Sequence, residues 1–293
     1  MYLKHFGLRE FPFSITPDTA FAFGSRSHQR ALNVLLVAQR HGEGFIKVVG
    51  EVGTGKTLLC RRFLSCLPPG TVTAYVPNPS MKPRGLLLTL AHELRLPVSP
   101  RASEFEIRTR IEQAMIEHGR AGRPVVICLD EAQTIPLPSL EILRLLSNLE
   151  TEKSKLMQLV LFGQPELDRK LAKESVRQLR QRIGFSYRMR AMTEVEVAAY
   201  LEHRMRVAGH QGTRMFAPQA AAALHLASEG VPRLLNIMAN KALMVAFGRG
   251  LPQVSVHEAW LAARDTEDAR NAHLFALPSW AGTGVMAAAR ALA

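Results

Sequence analysis

Gly50-Glu51-Val52-Gly53-Thr54-Gly55-Lys56-Thr57 is the stretch from which the rest of this chain can be read. It fits G-x-x-x-x-G-K-[ST], the phosphate-binding P-loop. Phe45-Ile46-Lys47-Val48-Val49 before it reads as a strand, and Leu58 to Leu64 after it reads as a helix. The motif requires that strand–loop–helix setting. Its glycines let the backbone curl so that successive N–H groups face one anion, and the helix N-terminus adds the positive end of its dipole. Gly50 through Leu58 are therefore the expected nucleotide contacts. Lys56 is expected to reach the β- and γ-phosphates of ATP, and the Thr57 hydroxyl to bind Mg²⁺. Average composition would produce the four fixed positions by chance in only about one chain of this length in a hundred.

The 293 residues suit one large domain or two modest ones, and the 47% hydrophobic content is enough for a sizeable core. A net charge of +12 points to an acidic partner: nucleotide, nucleic acid or an anionic membrane face. Charge alone does not choose among them. The three cysteines, Cys60, Cys66 and Cys128, are too few and too irregular for a disulfide framework or a zinc site, so no disulfide partner is expected. The N-terminus lacks a long apolar core of the signal-peptide kind. Both features fit a reducing cytoplasm.

Residues 1–30 are aromatic and broken by proline, and read as an irregular strap, either plain packing or one wall of an adenine pocket. A helical pattern follows from Ser27 to Arg40. After the P-loop helix come a strand at Val72–Val76, a helix from Gly85 to Leu96 and a helix opened by the capping box Ser103/Glu106. Pro124 introduces Val125-Val126-Ile127-Cys128-Leu129, a buried parallel strand ending in Asp130-Glu131. Parallel strands deliver ligands at such ends. The pair matches a Walker B element, with Asp130 holding the Mg²⁺ shell and Glu131 orienting or deprotonating the attacking water. A helix is expected over Leu140–Leu149 and a buried strand over Leu156–Phe162, leading to Gly163-Gln164-Pro165-Glu166, where Gln164 could sense the γ-phosphate.

Between Arg169 and Arg190 eight cations face the single acid Glu174. They read either as a solvated basic face or as the source of an arginine finger, Arg180 or Arg182, reaching a nucleotide on a neighbouring subunit. Past Met192 only helices are expected, at about 193–208, 217–229, 231–248 and 255–265, two of them opened by the capping boxes Thr193/Glu196 and Ser255/Glu258. Arg233 sits where a lid arginine could meet the phosphates. The domains are thus a strap at 1–30, a nucleotide-binding core at 31–190, a helical lid at 191–268 and a loosely ordered tail at 269–293. Leu274 to Ala289 carries no ionisable side chain but falls short of the about 20 apolar residues that a spanning helix needs.

The order of P-loop, acidic strand end, polar residue at the next strand end, Arg before a last strand and helical lid with Gly230-x-Pro-Arg233 resembles the AAA+ ATPases over residues 30–268. That resemblance implies an αβα sandwich with a five-stranded parallel sheet in the order 5-1-4-3-2 and a small all-helical lid. It puts Gln164 at the sensor 1 position, where Asn, Ser or Thr is more usual, and Arg233 at sensor 2. Met1-Tyr2, Phe6-Gly7-Leu8, Pro12-Phe13-Ser14, Pro17-Asp18, His28, Leu129-Asp130-Glu131-Ala132-Gln133 and Gly163-Gln164-Pro165-Glu166-Leu167 narrow the match. They look like the ExeA/GspA group of bacterial secretion ATPases, in the shorter MshM-like form of MSHA-type (type IV) pilus biogenesis. The resemblance implies an ATP hydrolase working as a homo-oligomer, a ring or another form, beside pilus or type II secretion assembly proteins at the inner membrane. A transposition-regulator (TniB-like) ATPase acting on DNA shares much of this motif order and fits the basic charge. It stands as the alternative, although no helix-turn-helix or zinc module is evident.

Overall fold

Val125–Leu129 and Met157–Gly163 are buried along their whole lengths, as strands covered on both faces must be. They lie together at the middle of a five-stranded sheet. With β1 at Phe45–Val49, β2 at Val72–Val76, β3 at Val125–Leu129, β4 at Met157–Gly163 and β5 at Ile183–Arg188, the order is β2-β3-β4-β1-β5 and every pairing is parallel. This is the 5-1-4-3-2 order expected from the sequence. The computed structural model describes residues 2–15, 20–150 and 155–271. The strap residues Thr16-Pro17-Asp18 and the apolar tail Leu274–Ala289 lie outside them.

Two apolar layers sandwich the sheet. Phe45, Val125, Ile127, Leu159 and Leu161 face one layer, which includes α4 (Pro83–Glu93), α5 (Glu104–Arg120) and α6 (Leu137–Leu146). Ile46, Val48, Val126, Val160 and Phe162 face α2 (Arg26–Arg40) and α3 (Lys56–Ser65) on the other side. The alternation along each strand sends successive side chains to opposite faces, so one apolar run serves both layers.

Two helices start earlier than the apolar periodicity suggests, because each has a proline in its first turn, where the missing N–H costs nothing. The helix expected from Gly85 begins at Pro83, and Arg95 at φ 56° bars its continuation to Leu96. The helix expected from Leu140 runs Leu137–Leu146. Short helices α7 (Pro165–Leu171) and α8 (Arg177–Gln181) fill the segment between β4 and β5.

The described residues divide into two compact units: one from 20 to 191, holding the sheet, and one of residues 2–15 together with 192–271. In the second unit, α1 (Tyr2–His5) is joined by α9 (Glu194–Val207), α10 (Pro218–Ser228), α11 (Pro232–Gly248) and α12 (Val256–Arg264). The capping boxes at Thr193/Glu196 and Ser255/Glu258 form as expected. The N-terminal strap is tied into this helical unit by polar groups. Arg204, 6% exposed, donates to the Pro12 carbonyl at 2.5 Å, and the Tyr2 hydroxyl donates to Asn240 Oδ1 at 2.6 Å.

Candidate active site

The loop between β1 and α3 is shaped by two left-handed glycines, Gly53 at φ 79° and Gly55 at φ 88°. A Cβ on Gly55 would stand 2.6 Å from His28 Nε2, so both the turn and the close approach of α2 require glycine there. The first turn of a helix leaves its N–H groups without acceptors. Among the described residues the N–H groups of Gly53, Gly55, Lys56, Thr57 and Leu58 find no protein acceptor. A glycine-shaped nest at a helix N-terminus with free donors is an anion cradle.

Lys56 is 5% exposed, and its ammonium group donates to the carbonyls of Gly50 at 2.9 Å and Glu51 at 3.0 Å. Burial holds its pKa below the ordinary lysine value, with Glu131 and Asp130 pulling the other way. A positive charge is therefore enclosed at the floor of the cradle, and it is more easily matched by a phosphate than by water.

Asp130, 2% exposed, stands just past the end of β3, where its N–H donates to the Val76 carbonyl of the neighbouring strand at 2.9 Å. Its Oδ2 accepts from Thr57 Oγ1 at 2.5 Å and its Oδ1 from Glu131 N at 2.9 Å. Burial raises the carboxyl above the usual aspartate range, and the two hydrogen bonds and Lys56 offset only part of that rise. A desolvated carboxylate touching the hydroxyl that follows the P-loop lysine is a donor set that suits Mg²⁺. That ion keeps several waters and takes one or two carboxylates plus substrate phosphates. Thr57 and Asp130 would hold it. No cluster of three or more His, Cys, Asp or Glu side chains offers another metal site among the described residues.

Glu131 adopts φ 49°, a left-handed conformation uncommon outside glycine, which turns its side chain away from the strand direction. Its Oε2 accepts two amide donors: Gln164 Nε2 at 3.1 Å and Gln133 Nε2 at 2.6 Å. The folding therefore brings Lys56, Thr57, Asp130, Glu131 and Gln164 together from three chain segments, with Gln133 added. The role of Gln133 was not visible in the sequence. It sits in a 3-10 turn, Ala132–Thr134, that no hydrophobic period marks. Beside the loop, a small cleft of about 60 Å³ is lined by Phe23, Gly24, His28, Leu32, Leu58 and Arg62. Leu58 and the aromatic Phe23 both line this cleft.

The cationic run is mostly spoken for. Lys170 donates to the Ile135 carbonyl at 2.6 Å, Arg188 to Asp168 at 2.9 Å, Arg177 to Glu174 at 3.2 Å and Arg169 to Glu166. Arg182 donates to the Ser147 carbonyl at 3.2 Å and to Ser147 Oγ at 3.0 Å. Arg180 is exposed, and its side chain makes no hydrogen bond or ion pair among the described residues. Arg233 lies in the helical unit, exposed in the first turn of α11. Among the described residues no helix is long and apolar enough to cross a membrane.

Residues 39–171 match the family described as AAA domain. Over 271 residues, 92% of its length, the chain is 40% identical to General secretion pathway protein A of Aeromonas hydrophila. It spans 49% of that relative's length. Among solved structures it is similar to Cdc6p from Pyrobaculum aerophilum, with a TM-score of 0.66, 15% identity, and coverage of 85% of this chain and 71% of the other. The ORC2 protein of Aeropyrum pernix, in ADPNP–ADP complexes, gives a TM-score of 0.62 at 17% identity, with coverage of 86% and 72%. The RuvB Holliday junction branch migration motor of Thermotoga maritima gives 0.53 at 15% identity, with coverage of 87% and 73%. At these identities the structural likenesses speak for the fold.

Proposed function

Because this chain carries an AAA domain on a P-loop fold and is related to General secretion pathway protein A, we propose that it is an ATP hydrolase. Its turnover would drive assembly of a type IV (MSHA-like) pilus or a type II secretion machine. The observation that carries the hydrolase reading is the meeting of Thr57 with Asp130 at 2.5 Å, with Glu131 one residue on. In this reading the cradle N–H groups and Lys56 bind the phosphates. Thr57 and Asp130 would hold Mg²⁺, which would offset phosphate charge. Glu131 accepts the proton of the attacking water, and Gln164 orients the γ-phosphate end of the site. Arg233 acts as the lid sensor. Arg180, whose side chain has no hydrogen-bond or ion-pair partner among the described residues, is the better placed of the two finger candidates, since Arg182 is engaged with Ser147. A finger acting between subunits requires a homo-oligomer, and a head-to-tail contact that closes on itself makes a ring. The secretion role follows the name of the relative, while the MSHA-like pilus and a cytoplasmic protein held peripherally at the inner membrane are carried over from the resemblance of the motifs.

The test is the ATPase rate against protein concentration, with and without plasmid DNA and anionic liposomes. Specific activity that climbs with concentration and with liposomes supports the proposal. Stimulation by DNA alone, weakening with salt as phosphate contacts do, would replace it with the transposition-regulator reading. A flat, negligible rate in the presence of a candidate assembly partner would overturn the hydrolase assignment.

A further inference from the structure

Glu131 is gripped through one oxygen only. Oε2 takes both amide donors, from Gln133 and Gln164, while Oε1 makes no hydrogen bond among the described residues. The Gln133 amide cannot turn freely. Its Oε1 accepts the backbone N–H of Gln164 at 3.0 Å, which aims its Nε2 at Glu131. The orientation of that amide is thus fixed by the network around it. The turn that bears Gln133 is itself anchored. Lys170 of α7 donates to the carbonyls of Gln133 and Ile135, and the hydroxyl of Thr134 donates to the Glu131 carbonyl at 2.8 Å. A left-handed glutamate persists only when its surroundings over-determine it, and this set of contacts does so.

We propose that Gln133 is a positioning residue for hydrolysis. It clamps Glu131 by Oε2, ties it to the end of β4 through Gln164, and leaves Oε1 as the oxygen that takes the proton from water. The inference rests on Glu131 being the base in the reading above. Gln133 does not touch the phosphates or the reacting water. It acts through the carboxylate.

Single-turnover and steady-state ATP hydrolysis, with ATP affinity and melting midpoint measured alongside, would test this on the full chain. Gln133→Ala is expected to lower kcat about 10- to 100-fold, the rate equivalent of one hydrogen bond to a charged group, at unchanged ATP affinity. Gln133→Glu keeps an acceptor for the Gln164 N–H but sets a carboxylate against Glu131. It should lose at least as much kcat, whereas a merely structural link to Gln164 would leave it active. In a Glu131→Gln background, Gln133→Ala should slow the residual reaction no further, because residues acting as a unit are not additive. Wild-type kcat in Gln133→Glu, or independent losses that multiply in the double variant, would overturn the role of Gln133 while leaving the base in place. Wild-type turnover in Glu131→Gln alone would instead remove the base assignment itself.

Discussion

Asp130→Asn should make the nucleotide-free protein more stable while destroying its activity. The wild-type carboxyl is 2% exposed, and burial raises it above the ordinary 3.8. The folded chain therefore keeps this proton to higher pH than the unfolded chain does. Stability linked to it is full below about pH 3.8 and is lost as pH rises through the higher folded value. At neutral pH the folded protein holds a desolvated charge that the unfolded chain hydrates freely. Asparagine removes that charge and keeps the contacts. Its Oδ1 can accept from Glu131 N, and its Nδ2 can donate to Thr57 Oγ1 once that hydroxyl turns round. Relief of this kind is worth about 0.5–2 kcal/mol. Each 1 kcal/mol moves the midpoint by about 2–4 °C in a unit of this size. Thermal unfolding without nucleotide should thus show Asp130→Asn above wild type at pH 7, with the gap closing as pH falls toward 4. Saturating ATP and Mg²⁺ should reverse the order. At 100 times Kd a ligand adds about 2.7 kcal/mol to a protein that binds it, and the variant gains less. A nucleotide-free midpoint several degrees below wild type at pH 7 would refute the reasoning. It would mean that the carboxylate is stabilised by its hydrogen bonds more than burial penalises it.

Lys56→Ala should abolish nucleotide binding, since it removes the cation enclosed in the cradle; retained affinity in a fluorescent-nucleotide titration would sink the P-loop assignment. Gly55→Ala should destabilise the protein by about 1–3 kcal/mol in chemical denaturation, from φ 88° and the 2.6 Å approach of His28 together. A second replacement, His28→Ala, should return only the steric part. Arg180→Ala should leave the melting midpoint unchanged and remove the concentration-dependent part of turnover. Arg182→Ala, which loses both bonds to Ser147, should lower the midpoint first; the opposite pattern would exchange their roles.

The parts of the site legible in the sequence are those where chemistry dictates residue type at fixed spacing. Gly50 to Thr57 can be read because a phosphate needs glycine, lysine and hydroxyl at those offsets. Asp130 and Glu131 can be read because a fully apolar run ends on them. The capping boxes at Ser103, Thr193 and Ser255 could be placed for the same reason: each is completed within four residues. The order of the strands is not local in that sense and came only from family resemblance. Gln133 was hidden because its task depends on the left-handed turn at Glu131 and on a partner 31 residues away. The hold of Arg182 on Ser147 spans 35 residues, and that of Arg204 on Pro12 spans 192. No periodicity reports pairings of that kind. A solvated basic face was one expectation for the run from Arg169 to Arg190, and an arginine finger the other. In the structure five of those cations have named partners: Arg169, Arg177 and Arg188 pair with nearby acids while staying largely exposed, and Lys170 and Arg182 reach Ile135 and Ser147 on earlier segments.

The most direct measurement is ATP hydrolysis by wild type and by Glu131→Gln, each saturated with ATP and Mg²⁺ and each assayed for bound nucleotide. Glu131→Gln should bind ATP as tightly as wild type and hydrolyse it about 10²–10⁴-fold more slowly, the span expected for loss of a general base. Equal turnover at equal occupancy would contradict the account, because the carboxylate at the end of β3 would then have no part in the reaction.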